Sequence, residues 1–380
     1  MAFQPTGVPP PPTAGDNIGP GGPSPYLHED KPAFPINAAH RYGDGFFSFL
    51  APVLGPVGSV MTAWQEKRNE LDLPSPGTAE HLQREVKSTL LNNFIFDGAR
   101  ADLTKALSMN PIFQVTHAFS MGAQQAPSSY NFGAVYGSER YFLQGGLDDA
   151  GSVTIRANTG WADGHISKFQ GQMAPAGGQS FAQFEHDYQG RDHSANIKAL
   201  NPSPIDGTGI YIANYLQSLT RNFALGVEAI WQRPDANQQE AAIGYMVKWI
   251  SDSKDAIATL QLQGQGIAQA TYWHKLAENV SAAADLQLVT AGGRRDAQAA
   301  LGAKWDFRMA TYRAQIDSTG KISSLLETRL APTLALTFAG EVDHFKNAAK
   351  FGVGLSLESA GGEVPLDPSI PPPTPPSVPV

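Results

Sequence analysis

Apolar and polar side chains alternate along most of this chain. In FALGVEAIWQ, Phe223, Leu225, Val227, Ala229 and Trp231 take every second position, against Ala224, Gly226, Glu228, Ile230 and Gln232. IGYMVKWI sets Tyr245, Val247 and Trp249 against Gly244, Met246 and Lys248, and LGAKWDFR sets Leu301, Ala303, Trp305 and Phe307 against Gly302, Lys304, Asp306 and Arg308. TYRAQID and KFGVGLSLE repeat the pattern. A period of two marks strands with one apolar face. About nineteen such segments follow one another between residues 98 and 358. At roughly 14 residues per strand and turn, they suit the ~9–11 residues of a tilted bilayer crossing. Turns such as LDDAGS, NPSPIDGTG and DSTGK separate them, and no helical pattern intervenes, so the strands are hairpin-linked and antiparallel. The expected fold is an all-β transmembrane barrel of about nineteen strands, and an odd count pairs the first and last strands in parallel. A soluble propeller or sandwich is the competing fold. Against it, the polar faces carry full charges while the apolar faces run unbroken over many strands.

The prolines divide the chain in the same places. They crowd Pro5 to Pro76 and Pro365 to Pro379, and between them only Pro111, Pro127, Pro175, Pro202, Pro204, Pro234 and Pro332 occur, each at an expected turn or strand end. Residues 1–44 read as a disordered tail, 45–97 as a helical extension, 98–358 as the barrel and 359–380 as a second Pro-rich tail. PPPTPP, Pro371 to Pro376, reads as polyproline II. Within the extension, Val57, Val60, Met61, Trp64 and Leu71 recur at helical spacing until Pro74. Thr78 is placed to cap a second helix, with Glu80 in its first turn and Leu82, Val86 and Leu90 on one face.

Composition narrows the function. Hydrophobic residues make up 42 % and charged residues 16 % of the 380, yet mean hydropathy is −0.24. A barrel with lipid on one face and water on the other gives that combination. No apolar run is long enough for a transmembrane helix. The N-terminus shows neither a signal-peptide pattern nor an Arg-rich presequence, so folded or C-terminal features are expected to address the chain. Without cysteine, disulfides, thiol catalysis and thiolate metal centres are excluded.

Two stretches carry a family resemblance. GARADLTKALSMNPIFQVTHAFSMG (Gly98 to Gly122) with YNFGAVYG (Tyr130 to Gly137), and KWDFRMATYRAQIDSTGKISSLLETRLAP (Lys304 to Pro332), resemble the central channel subunits of the TOM complex, the translocase of the outer mitochondrial membrane. The likeness spans residues 40 to 358, and the tails suggest a fungal source. It implies the nineteen-stranded mitochondrial porin fold and a pore that imports nucleus-encoded precursors. It further implies a lumenal helix from Thr78 to Leu91, both termini in the intermembrane space, and barrel dimers or higher assemblies. The implied partners are precursor proteins with presequences, receptor and small TOM subunits and membrane lipid, with no nucleic acid. Lys350, Gly352, Leu355 and Leu357 fit the last-strand sorting signal of mitochondrial barrels; a plain closing strand would carry the same pattern.

An import pore needs no covalent chemistry, and no cofactor is expected. Presequences are basic and amphipathic, and the chain has 35 acids against 27 bases, a formal net charge of −8. Strand parity puts Asp102, Glu185, Asp187, Glu228, Asp285, Asp306, Asp317, Glu327 and Glu341 inside, where a field focused between low-dielectric walls concentrates a cationic peptide. Lys198, Lys248, Lys275, Lys304, Arg308, Arg313 and Arg329 share that parity, so pairing within the wall competes with cargo. Ile230 and Met246 also fall inward, either as apolar contacts or through strand slips, the slightly favoured reading. Trp231, Trp249, Trp305 and Tyr312 face outward, for an aromatic girdle or a protein neighbour.

Enzyme and metal readings fare badly. His186 and His193 in HDYQGRDH fit no metal spacing, Gly264 and Gly266 lack a third glycine, and Gly292 to Asp296 reads as a turn. A metabolite channel of the anion-channel type would call for a net basic lumen. A soluble β-rich binding protein remains the alternative of another class.

Overall fold

The computed structural model describes residues 73–359 except 123–126, 176–177, 179, 204–205, 236 and 291–294. The expected helix at Val57 to Leu71 and the PPPTPP segment lie outside the described residues. Nineteen strands form one sheet. They are β1 (Gly98–Met109), β2 (Ile112–Met121), β3 (Ser129–Gly137), β4 (Tyr141–Asp148), β5 (Val153–Ala162) and β6 (His165–Met173). Then come β7 (Phe181–Gln189), β8 (His193–Leu200), β9 (Gly209–Ser218), β10 (Phe223–Asp235), β11 (Gln238–Ile250), β12 (Ala256–Gln263) and β13 (Ile267–Ala277). The last six are β14 (Val280–Val289), β15 (Asp296–Asp306), β16 (Ala310–Asp317), β17 (Lys321–Ala331), β18 (Leu334–Asp343) and β19 (Ala348–Ser359). Each pairs antiparallel with the next, and β1 pairs in parallel with β19 from Gly98↔Gly352 to Lys105↔Ser359. The sheet is therefore a closed barrel with no free edge. Among the described residues no helix is long and apolar enough to cross a membrane; strands of 8 to 13 residues are long enough to cross instead.

Burial is inverted relative to a soluble domain. Leu103, Leu143, Phe184, Leu225, Tyr245, Leu301 and Phe351 are exposed, whereas Asn158, Asn196, Thr259, Thr271 and Gln315 are buried. The alternating faces read from the sequence hold in β10, β11, β15, β16 and β19. Phe307 and Arg308 are the exceptions: β15 ends at Asp306, and both residues lie in the following turn. Pro234 falls in the last residues of β10, where the pairing register shifts, and Pro111 and Pro332 fall in turns, as the missing N–H requires.

The segment from Leu73 to Asp97 crosses the interior. Gly98 opens β1 at the distal end of the barrel. Odd-numbered strands run away from that end, so β9 and β19 finish at the opposite, proximal end. The hydroxyl of Ser218, the last residue of β9, donates to the Pro74 carbonyl at 2.7 Å. Lys248 Nζ donates to Pro76 O at 3.0 Å, and Ser194 Oγ to Gly77 O at 2.6 Å. The described chain thus enters and leaves at the same, proximal end. From there the segment meets inward residues of β8 to β19 in turn and ends on Phe96, which packs over Gly352 and Gly354 of β19. Only the lumen is bordered by all these strands.

The helix in this segment is shorter than the spacing predicts. A 3-10 turn spans Ala79–His81 and an α-helix, α1, spans Arg84–Thr89. Thr78 does not cap it: its hydroxyl is 2.6 Å from His81 Nδ1 and bonds no helical N–H. Contacts to the wall, rather than helix propensity, shape a segment this short. Leu82 packs with Leu216, Ala224 and Met246. Val86 and Leu90 pack with Ala283, Ala300 and Trp273, and Trp273 Nε1 donates to Thr89 Oγ1 at 3.2 Å. Leu91 packs with Leu325 and Ala339, and its N–H donates to Gln315 Oε1 at 2.5 Å.

Met246 and Ile230 point inward without any strand slip, contrary to the slightly favoured reading. The β10–β11 register is unbroken from Phe223↔Trp249 to Gln232↔Glu240. Met246 faces inward to receive Leu82, an apolar island on a polar wall.

Gly352 has no room for a side chain, since a Cβ there would overlap the Phe96 carbonyl and ring. Gly352→Ala is expected to destabilise the barrel by about 1–3 kcal/mol, read as a lower denaturant midpoint. Phe96→Ala in the same chain should restore the part due to the ring; a midpoint that Phe96→Ala leaves unmoved would show that the ring is not the cause.

Candidate functional site

The lumen is the one large polar surface that the fold encloses. Seven of the nine predicted acids fall into three groups. Near the proximal end, Glu185 and Asp187 of β7 are buried. Lys198 Nζ lies 3.3 Å from Glu185, and Lys168 Nζ 3.0 Å from Asp187. Asn196 Nδ2 donates to both carboxylates, and Gln183 Nε2 to Glu185 at 3.2 Å. Glu80 of the lumenal segment completes this cluster, its Oε2 2.8 Å from Lys168. The three carboxylates bring oxygens within 4.8 Å of one another, and the Lys168 ammonium bonds two of them. Sequence parity found Glu185 and Asp187; Glu80 it placed only in a helix.

A second group is paired on the wall. Asp102 meets Arg100 at 3.0 Å, and Asp306 meets Lys304 at 2.8 Å and accepts from Thr311 Oγ1 at 3.1 Å.

The third group lies on alternate strands, with Asp285 midway along β14 and Asp317 and Glu341 close to the distal ends of β16 and β18. Among the described residues, Asp285 of β14 accepts from the Gln269 amide alone, at 3.0 and 3.2 Å. Asp317, the last residue of β16, accepts from Gln298 Nε2 at 2.9 Å and from neighbouring turn groups. Through Ala300 the two acids share one row, Asp285↔Ala300↔Asp317, roughly 10 Å apart at the usual strand spacing. Glu341 of β18 takes the Ser323 hydroxyl at 3.4 Å and faces Lys350 at 3.9 Å. Glu228 lies between Asn214 and Gly244, and Glu327 between Thr311 and Thr337. The nine acids thus do not form a single patch.

The wall also has an apolar strip. Ile230 pairs with Ile212 on one side and Ala242 on the other, and Ile210 pairs with Leu200. All share the inward parity of Glu228. Ile210 and Ile212 escaped the sequence reading because GIYIANY alternates no clear polar face. Of the sorting-signal residues, Lys350 and Gly352 share the lumenal face, while Leu355 and Leu357 point outward with Phe351 and Val353.

This geometry, a closed odd-stranded barrel with a mixed polar lumen and an internal N-terminal segment, is that of a mitochondrial-type porin. Residues 75–352 match the eukaryotic porin family. The mitochondrial import receptor subunit tom40 of Neurospora crassa is 43 % identical over 320 residues, covering 81 % of this chain and 90 % of that protein. TOM40 of Saccharomyces cerevisiae is 37 % identical over 349 residues, 87 % of this chain and 89 % of the relative. A probable TOM40-2 of Arabidopsis thaliana is 28 % identical over 321 residues, 81 % and 98 % of the two chains. The chain belongs to the eukaryotic porin family and, within it, to the Tom40 proteins.

The ion pair that fastens the segment has a pH window. Burial acts to raise the Glu80 carboxyl, but the Lys168 ammonium outweighs it and holds the group at about 2. Burial and the same lysine push His81 below its ordinary value. A carboxyl depressed in the folded state stabilises it above the ordinary value of 4.5, and that contribution is lost as pH falls toward about 2. Amide protection over residues 79–91 is expected to drop across that window. In Glu80→Gln it should already be roughly tenfold lower at pH 7, the equivalent of about 1.4 kcal/mol. Unchanged protection in the variant would show that the pair does not fasten the segment.

Proposed function

We propose that this chain conducts precursor proteins across the mitochondrial outer membrane, and that its distal acids receive the basic presequences. It is an outer-membrane β-barrel and a TOM-complex subunit, a reading supported by Tom40-family membership and the closed barrel. The observation that carries the finer reading is the division of the acids. Asp285 and Asp317 are held by amides and hydroxyls and keep their charge available, whereas Glu185 and Asp187 are occupied by lysines. A basic helix entering at the distal end would meet Asp285, Asp317 and Glu341 first, in a low-dielectric setting that strengthens attraction. The Ile210, Ile212 and Ile230 strip offers weak apolar contact to unfolded segments, as a conducting path requires binding that is easily left.

The proximal end, from which both described termini emerge, faces the intermembrane space. The tail upstream of the barrel meets partner subunits and outgoing precursor in that space. Receptor and small subunits, and a second copy of the barrel, pack on the outer wall, where Trp305 lies beside Tyr312 at 5.4 Å and Trp231 stacks beside Tyr211 at 5.3 Å. Lys350, Gly352, Leu355 and Leu357 serve as the sorting signal in addition to closing the sheet.

Reversing the distal acids together, Asp285→Lys, Asp317→Lys and Glu341→Lys, is expected to weaken presequence crosslinking and import by roughly tenfold. Conductance in a planar bilayer should lose its block by a basic presequence peptide and shift away from cation preference. Import and block at normal levels in the triple variant would overturn the acid path while leaving the barrel assignment intact.

A further inference from the structure

The outer wall carries a polar cluster that conduction does not use. β6 and β7 pair as Ser167↔His186 and His165↔Tyr188, on the face opposite lumenal Lys168 and Glu185. His165 and His186 are therefore diagonal neighbours on the outside of the barrel, close to its proximal rim. We propose that they form a two-histidine chelate for a divalent transition-metal ion of the zinc, copper or nickel class.

Two observations carry this. His165 Nδ1 and His186 Nε2 face each other at 3.3 Å. That is about the edge of a tetrahedron whose metal–nitrogen bonds are ~2.0–2.1 Å long, so the separation already suits a shared ion once the rings tilt slightly. The second observation is the support behind His186. Trp161 Nε1, which can only donate, reaches Ser167 Oγ at 3.0 Å, and the same oxygen lies 2.9 Å from His186 Nδ1. A hydroxyl oxygen has two acceptor sites. When it takes both N–H groups, His186 carries its hydrogen on Nδ1 and turns the Nε2 lone pair toward His165. Ligand histidines are held in this way by an acceptor behind the other nitrogen. The His165 ring is itself fixed against Tyr188, with centroids 4.6 Å apart.

The site is open, since two protein nitrogens leave the remaining coordination positions to water or to a donor from a neighbouring molecule. Imidazole pairs of this kind suit zinc, copper and nickel over magnesium or calcium. His193, which sequence spacing had brought together with His186, is not part of it. Its Nδ1 bonds Asp192 at 2.9 Å, and its ring lies beside Tyr188 and Tyr215. The pairing joins residues of neighbouring strands across a hairpin, which no linear spacing rule registers.

The test is calorimetric titration of Zn2+ into the full-length chain in detergent micelles, compared with variants of matching thermal stability. One ion per chain is expected to be lost in His165→Gln and in His186→Gln. It should be held roughly tenfold more weakly in Ser167→Ala and unchanged in His193→Gln. Equal binding by the unaltered chain and both histidine variants would overturn the proposal, as would no binding at all, which would leave a shared proton between the rings. Should a variant fail to fold, carbethoxylation of the unaltered chain decides: Zn2+ protects His165 and His186 together, or the proposal fails.

Discussion

Hydrocarbon offers no partner to a backbone N–H or C=O, and the rest of this molecule follows from that. A sheet in a membrane must close on itself, because each free edge group would cost several kcal/mol. With nineteen hairpin-linked strands, closure brings two strands together that run the same way, and Gly98↔Gly352 begins a parallel seam. The seam also fixes where the preceding chain has to be. Residues before Gly98 arrive at the distal end, while β19 ends with Ser359 at the proximal one. The segment reaches β1 by crossing the lumen, and its last step is Phe96 lying on Gly352 and Gly354. Closure, glycine in the last strand and an internal segment are three consequences of one requirement.

A polar lumen holds such a segment differently from a soluble core. At its start the wall bonds backbone oxygens, with Ser218, Lys248 and Ser194 reaching the carbonyls of Pro74, Pro76 and Gly77. Prolines lack a donor but keep the carbonyl, so this attachment suits a stretch that cannot form a ladder. Farther along, apolar islands on the wall take over. Leu82 meets Met246 and Leu216, and Val86 and Leu90 meet Ala283 and Ala300. Each fully buried leucine contributes about 1.5–3 kcal/mol, each hydroxyl-to-carbonyl bond about 1 kcal/mol and the charged Lys248 bond about 1.5–3 kcal/mol, so the islands are the larger share. Small residues recur under the segment because it lies close to the sheet: a Cβ on Gly302 would meet Leu90 at 2.7 Å.

The alternation made the barrel legible. Phe223 to Ala229 read correctly, residue by residue, because lipid on one side and water on the other impose a period of two that no other contact disturbs. The site was less legible, for a related reason. Parity tells which face a residue is on, but not what stands opposite across the lumen. Asp187 and Asp285 look alike in sequence, yet Asp187 is bonded to Lys168 from the next strand and Asp285 to an amide. Trp273 sits inside holding Thr89, although its neighbours gave no hint of it. Met246 was set down as a slip because its partner, Leu82, lies 164 positions earlier in the chain. The long helix failed for the opposite reason: its propensity was plain, and wall contacts broke it at Leu82 and Gln83.

The segment also decides which charges are left for a ligand. It places Glu80 beside Lys168, and that lysine already bonds Asp187. The proximal cluster is therefore a closed network of acids and bases, with little charge to offer a passing chain. Beyond α1 the segment turns along β16 to β19 through Leu91 and Phe96, over Leu325, Ala339 and Gly352. Asp285 and Asp317 flank Ala300, the residue on which Val86 and Leu90 rest, and pair with no lysine among the described residues. They sit at the margin of the segment rather than beneath it. Uncompensated charge survives where the internal segment stops covering the wall, so the same contacts that fill the lumen set where a cation would be drawn.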